Sequence, residues 1–261
     1  MESTSFTYVS TELYALAEAK NYYRWVVSRF APFLGKRVIE VGAGIGTFSR
    51  TLLKYTALAE LILVEPGANL FPLLQKRFSG EPRVKIVHGY FEDLDTAATA
   101  DSIVLVNVLE HIAEDQALLG NAHKTLIPGG TLLLLVPAFS WMYGSLDAAF
   151  GHYRRYNKPA LVEKLQGAGF RILHLTYLNV PGLIAWFLTG RVLRRKTLKP
   201  GYVRLYDRWI IPWLARMEGR WEPPFGQSLI AVARRVEPAE GGARRSRDTP
   251  RTQIYTPPTA G

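Results

Sequence analysis

The sequence predicts an α/β fold, a mostly parallel sheet with helices on both faces. Two observations carry that expectation. Through the first half, short apolar runs alternate with helical patterns, which is how βαβ units read in a sequence. Several of those runs are apolar at almost every position, as strands covered on both faces must be. Residues 11–30 read as a helix leading into the fold, with Tyr22, Tyr23 and Trp25 grouped on it. Strands are expected at 37–41, 60–64, 84–87, 102–107 and 131–136, with helices between them near 47–55, 68–78 and 114–125. Ile127-Pro128-Gly129-Gly130 reads as the turn that ends the last of these helices.

Beyond Pro137 an aromatic-rich loop, 139–156, precedes a short helix at 159–168 that Gly169 stops. A sixth strand is expected at 170–177 and a seventh at 227–235, with an unusually long insertion, 181–224, between them. From Glu237 on, Pro, Gly, Arg and Thr dominate without apolar periodicity, so 237–261 reads as a disordered tail. Residues 1–236 are expected to form one domain: a helical lid (1–35), a ligand-binding core (36–180), the helical insertion and a last strand (225–236).

Composition narrows the field. The 261 residues are 48% hydrophobic and 21% charged, which excludes a wholly disordered or fibrous chain. With no cysteine there is no disulfide, thiolate metal site, iron–sulfur cluster or cysteine nucleophile. That suits a reducing compartment, and a cytoplasmic location is expected. The N-terminus lacks the basic start and apolar core of a signal peptide. No uncharged apolar run reaches the roughly 20 residues of a membrane-spanning helix. The net charge of +10 is unevenly placed: residues 1–150 carry −3 and residues 151–261 carry +13.

The most informative stretch runs Val38-Ile39-Glu40-Val41-Gly42-Ala43-Gly44-Ile45-Gly46-Thr47, a strand passing straight into a glycine loop and a helix. A GxGxxG spacing would suggest a dinucleotide, its pyrophosphate on the helix N-terminus. Here the spacing is GxGxG, and Glu40 stands two residues before the first glycine. A carboxylate there repels pyrophosphate and favours a ligand carrying ammonium or sulfonium charge.

On these residues the chain resembles the class I S-adenosylmethionine-dependent methyltransferases, and the likeness extends over roughly residues 20–180. Glu65 closes the second strand, where the family places the acidic residue that accepts the ribose hydroxyls. Gly89-Tyr90-Phe91-Glu92-Asp93-Leu94 is similar to the family's adenine-lining run, with Tyr90 replacing its first acidic residue. Asn107-Val108-Leu109-Glu110-His111-Ile112 is similar to the run beneath the methionine part of the cofactor. The resemblance implies a Rossmann-like sheet of order 3-2-1-4-5-7-6 with the last strand antiparallel. It also implies S-adenosylmethionine as cofactor, held by Glu40, Gly42, Gly44, Gly46, Glu65, Pro66, Tyr90, Phe91, Glu92, Asn107, Leu109 and Tyr22.

In a doubly wound sheet the acceptor meets residues beyond the carboxyl ends of the strands. Those are Glu110 and His111, then the segments 137–147 and 150–156. Asp147, His152, Arg154, Arg155 and Tyr156 fall within ten residues there, in a D-x-x-x-G-H-x-R-R-Y pattern resembling a subgroup of small-molecule methyltransferases. His152 is the candidate base, its tautomer held by Asp147 or a backbone carbonyl. The two arginines either fork onto an anionic group of the acceptor or pin the loop through acidic neighbours. Tyr143 completes the candidate substrate set. His111 is a second candidate base, or else orients the cofactor. His88, His123 and His174 read as structural, and no metal-ligand set is recognised.

Residues 186–220 hold nine Lys and Arg against two acidic residues, interleaved with Trp186, Trp209 and Trp213. Such a surface suits an anionic headgroup layer, so segment 183–220 would reach a lipid- or sugar-linked acceptor at a membrane. Alternatively these helices cap the sheet, close the acceptor pocket or form a homodimer face, with the arginines solvated. Nucleic acid is disfavoured: no Asn-Pro-Pro-Tyr run, no cysteine nucleophile and no separate recognition module is visible. The expected function is methyl transfer to an oxygen or nitrogen of a small molecule. The rivals are an RNA methyltransferase and an inactive cofactor-binding protein that scaffolds a partner.

Overall fold

The computed structural model describes residues 6–9, 12–94 and 99–236. The expected tail, 237–261, and the first residues of the expected lid lie outside them. Seven strands make one sheet: β1 (Arg37–Val41), β2 (Glu60–Glu65), β3 (Val84–His88), β4 (Ala100–Val106), β5 (Leu126–Pro137), β6 (Phe170–Leu178) and β7 (Ser228–Arg235). Their spatial order is β3-β2-β1-β4-β5-β7-β6, as the resemblance implies. The β1, β2, β3, β4 and β5 pairings are parallel, and β7 runs antiparallel to both β5 and β6.

The near-continuous apolar runs find their reason in the layers. Alternate side chains of a strand point to opposite faces. Leu132, Leu134 and Val136 of β5 join one buried cluster, while Leu133 and Leu135 join the other. The first cluster is completed by α5 (Asp115–Thr125) and α7 (Lys158–Gly167) through Leu118, Leu119, Leu161 and Leu165. The second takes in α2 (Lys20–Phe30), α3 (Thr47–Tyr55) and α4 (Phe71–Phe78).

Three local expectations are corrected. The single helix expected over 11–30 is two, α1 (Glu12–Leu16) and α2, joined by a tight turn in which Ala19 N–H bonds Leu16 C=O at 2.9 Å. Pro128-Gly129 is not the turn before β5 but a bulge inside it: the pairing steps from Ala100–Leu126 to Ser102–Thr131. Gly129 supplies the left-handed φ of +76° that this jump requires. The expected loop 139–156 contains a helix, α6 (Ser145–Phe150), ended by Gly151 at φ +80°.

The insertion carries α8 (Val180–Trp186), a wider helical turn over Phe187–Val192, α9 (Pro200–Trp209) and α10 (Ile211–Met217). Two buried carboxylates fasten it. Asp207 of α9 accepts the N–H groups of Asn21 and Tyr22, at 2.9 and 2.8 Å, where α2 starts. Glu218 accepts those of Asn179 and Val180, at 2.9 and 3.0 Å, where α8 starts. Helix starts leave N–H groups without intrahelical partners and carry positive dipole, so an imported carboxylate serves both needs. Ile211 and Leu214 of α10 then bury themselves in the sheet's second cluster.

Asp207→Ala strips two helix-start donors of their acceptor. It is expected to cost about 1–2 kcal/mol, the range for lost caps, and to lower the melting temperature by roughly 2–8 °C. Calorimetry checks this; an unchanged melting temperature would show that Asp207 does not fasten the insertion.

Candidate active site

The loop after β1 is shaped by three glycines in left-handed conformation, Gly42, Gly44 and Gly46, with φ of +68°, +57° and +75°. The space around them is filled to the backbone. A Cβ on Gly42 would lie 2.7 Å from the Val108 side chain, and one on Gly46 would lie 2.6 Å from Phe78. A Cβ on Gly44 would stand 3.2 Å from Leu13 of α1, so the N-terminal segment lies over the loop. Glu40 is buried just beneath, and its Oε2 has no hydrogen-bond partner. Burial pushes its carboxyl up to about 8.

Glu65 differs from its expected setting. Both its oxygens accept backbone amides, Gly44 N–H and Gly67 N–H, each at 2.7 Å. The side chain ties the loop after β1 to the loop after β2. Phe91, expected over the adenine ring, is buried in the core, while Tyr90 and Glu92 are exposed. Pro66 is half-buried beside Glu65 in sequence, and Leu109 is fully buried.

Beyond the ends of β4 and β5 lies a cavity of about 450 Å3. Its lining joins α1 and α2 (Glu12, Tyr22), the strand ends (Asn107, Glu110), the loop residues His152 and Arg155, and the insertion. Asn107 enters with φ +53°, a left-handed setting that Asn tolerates better than most residues. The Tyr22 hydroxyl bonds Ser228 at 3.2 Å, and burial raises its pKa to about 12.

The floor is organised by Asp147, which is fully buried. Its Oδ1 accepts His152 Nδ1–H at 2.9 Å and Arg155 Nε–H at 2.7 Å, and its Oδ2 accepts Gly144 N–H at 2.9 Å. Burial alone would raise its pKa; the hydrogen bonds and the guanidinium outweigh it and hold the carboxyl at about 2. Arg155 also bonds Ala138 C=O at 2.8 Å and lies 5.0 Å from the Trp186 ring centre. With Nδ1 committed to Asp147, the buried Nε2 of His152 has no partner. His111 meets His152 edge-on, 4.7 Å between ring centres, and burial depresses its pKa to about 4. Glu110 is buried nearby with Oε2 unpartnered, and burial holds its pKa well above the carboxylate range.

The structure separates the two adjacent arginines. Arg155 faces the cavity, whereas Arg154 turns outward to Asp115 at 2.8 Å and Ala113 C=O at 2.7 Å. Tyr156 is likewise withdrawn: its hydroxyl donates toward Leu109 C=O and Asp115, at 3.1 and 3.0 Å, holding the turn that carries Glu110 and His111. Tyr143 bonds His152 C=O at 2.7 Å and lines a separate hollow with Gly190 and Arg191. Neither Arg154, Tyr156 nor Tyr143 lines the cavity. Glu12, on a helix of only five residues, had no signal in the sequence, whereas Trp186 lies in the insertion that was expected, as one alternative, to close the pocket.

Residues 15–175 match the family described as "Methyltransferase domain". The chain is 28% identical over 166 residues to the ubiquinone biosynthesis O-methyltransferase of Xanthomonas axonopodis pv. citri, covering 57% of this chain and 67% of that one. It is 36% identical over 80 residues to ribosomal RNA small subunit methyltransferase A of Geobacter sulfurreducens, covering 29% of this chain and 28% of the relative. The chain thus spans between 28% and 67% of the length of these relatives. The fold is similar to that of Haemonchus contortus phosphoethanolamine N-methyltransferase 2, solved with S-adenosylhomocysteine: TM-score 0.59, 17% identity, 87% of this chain and 57% of that one. With its seven-stranded sheet, its glycine loop and the match over 15–175, the chain belongs to the class I S-adenosylmethionine-dependent methyltransferases.

Proposed function

We propose that the protein methylates a hydroxyl of an amphiphilic small molecule, lipid-linked in character, that reaches the cavity from an anionic membrane surface. The observation that carries this is the cavity itself. It is lined by His152, which Asp147 holds from behind, and by the basic, aromatic insertion, through Leu193, Arg195, Lys199 and Tyr202.

The cofactor side fits the residues present. The glycine loop keeps its three left-handed turns only without side chains, and the buried, unpartnered Oε2 of Glu40 at its base suits an ammonium group. S-adenosylmethionine, when bound, supplies an electrophilic methyl on a sulfonium. The chain's residues would do the rest. Glu40 receives the ammonium, Glu65 keeps the two loops in register, and Asn107 shapes the wall between cofactor and acceptor. His152 Nε2 takes the hydroxyl proton while Asp147 holds Nδ1–H and balances the imidazolium that forms. Arg155 keeps Asp147 ionised throughout.

The insertion supports the membrane side. Trp209, Trp213, Leu205 and Tyr202 are all exposed, beside Arg204, Arg208, Arg216 and Arg220. Large apolar groups left in water beside cations are costly unless a partner covers them, and a headgroup layer covers both kinds. No helix among the described residues is long and apolar enough to cross a membrane, so contact would be peripheral.

Two outcomes are expected. Titration calorimetry should show S-adenosylmethionine binding with release of a proton, because Glu40, protonated below about 8, must ionise to meet the ammonium. Affinity should therefore rise as pH climbs toward about 8, and fall again where the ligand's own α-ammonium loses its proton. Glu40→Gln should abolish the proton release and weaken binding about 10- to 100-fold, the value of a charge-assisted bond. Tight NAD binding with none of S-adenosylmethionine would overturn the cofactor reading.

Second, the protein should float with vesicles containing anionic phospholipid, and not with neutral ones, and salt should weaken the association. Trp209→Ala combined with Trp213→Ala should abolish flotation while leaving cofactor affinity unchanged. Flotation indifferent to lipid charge and to salt would sink the membrane reading.

A further inference from the structure

Glu12, His111 and His152 come from three separate elements: α1, the turn after β4 and the segment after α6. Each offers one ligand atom, and all three atoms lie within 4.8 Å of one another. Glu12 and His152 both line the cavity, and both are buried. We propose that these three side chains form a site for one divalent transition-metal ion, open on the cavity side to an oxygen of the acceptor.

The surroundings of the two histidines favour ligation over ordinary packing. Metal-bound histidines characteristically hand their second nitrogen to a carboxylate or a backbone carbonyl, which fixes the tautomer and aims the free lone pair. His152 does so through Nδ1 to Asp147 at 2.9 Å, leaving Nε2 buried and unpartnered. His111 makes its own hydrogen bond to the backbone of Gly151. Two imidazole nitrogens and a carboxylate oxygen are the donor set of facial metal sites, and they suit Zn, Fe, Mn or Co over Mg or Ca.

Ligand atoms around a tetrahedral ion with bonds near 2.0 Å stand roughly 3.3 Å apart. The three atoms, all within 4.8 Å of one another, close to that spacing when an ion binds. Three protein ligands leave at least one coordination position for substrate. A hydroxyl oxygen bound there loses its proton to solvent, because the cation lowers its pKa. The alkoxide oxygen then forms the new O–C bond as the sulfur–carbon bond breaks, and a neutral thioether leaves. The inference rests on the methyltransferase reading for this chemistry, and it makes His152 a ligand in place of the proton acceptor.

The test is equilibrium binding of Zn2+ and Co2+ to the full chain, followed by competition with a chromophoric chelator and by the Co2+ visible spectrum. One ion per chain is expected, with the intense visible bands of a low-coordinate Co2+ site. His152→Ala, His111→Ala and Glu12→Gln should each weaken binding at least tenfold, while His88→Ala, at the end of the edge strand β3 and stacked on Phe71, should not. S-adenosylmethionine affinity, measured on every variant, certifies the fold and tests the cofactor reading separately. The metal site is overturned if the wild-type chain, while binding S-adenosylmethionine, takes up no ion, or if uptake survives all three substitutions.

Discussion

Asp147 lies fully out of solvent, where an isolated carboxylate would be strongly disfavoured. It is kept there, and kept ionised, by hydrogen bonds from Arg155, His152 and the Gly144 amide, with the Trp186 indole N–H 3.3 Å from Oδ2. Each partner belongs to a different piece of the architecture. Gly144 starts α6, His152 follows it, Arg155 reaches back to the end of β5 through Ala138, and Trp186 arrives from the insertion. One buried anion thus fixes a histidine tautomer, an arginine and the docking of an inserted helix together. Its low pKa means that this stabilisation is complete above the ordinary aspartate range and disappears only as pH falls through about 2.

The same device recurs at the insertion. A segment dense in arginine is attached through its few acids, Asp207 and Glu218, each spent on the start of a helix. The arginines are thereby left at the surface with the exposed tryptophans. Acids inward and bases outward reconcile the two readings of the insertion, since it closes the cavity and also presents a cationic, aromatic face. Among the described residues, the insertion gathers nine Lys and Arg over 186–220, and Arg195 and Lys199 of these line the cavity.

Strand positions were legible because apolar periodicity and glycine placement are local properties, whereas their spatial order followed from the family resemblance alone. α3 occurs over Thr47–Tyr55 as expected, since a glycine loop, an amphipathic turn and a following polar stretch bound it on both sides. The division of labour between Arg154 and Arg155 was not legible. Adjacent residues in extended backbone point to opposite sides, and which side is inward depends on Ala138 and Asp115, both distant in sequence. The packing of Phe91 in the core was not legible for a similar reason: an aromatic after a strand serves a ligand or the core equally well until the neighbouring helix is in place. Glu12 was beyond reach, because its meaning comes from two histidines about 100 and 140 residues later. The splitting of the first helix at 17–19 is equally nonlocal, since Asp207 captures the amides that begin α2.

The seating of Leu13 on Gly44 ties the start of the fold to its late insertion. Leu13 belongs to α1, α1 passes through a tight turn into α2, and the first amides of α2 are held by Asp207. An unbroken line of contacts therefore runs from the insertion, through two short helices, to the glycine loop. Segments about 190 residues apart in the chain are thereby mechanically neighbours, and the loop that demands three left-handed turns is braced from outside the sheet.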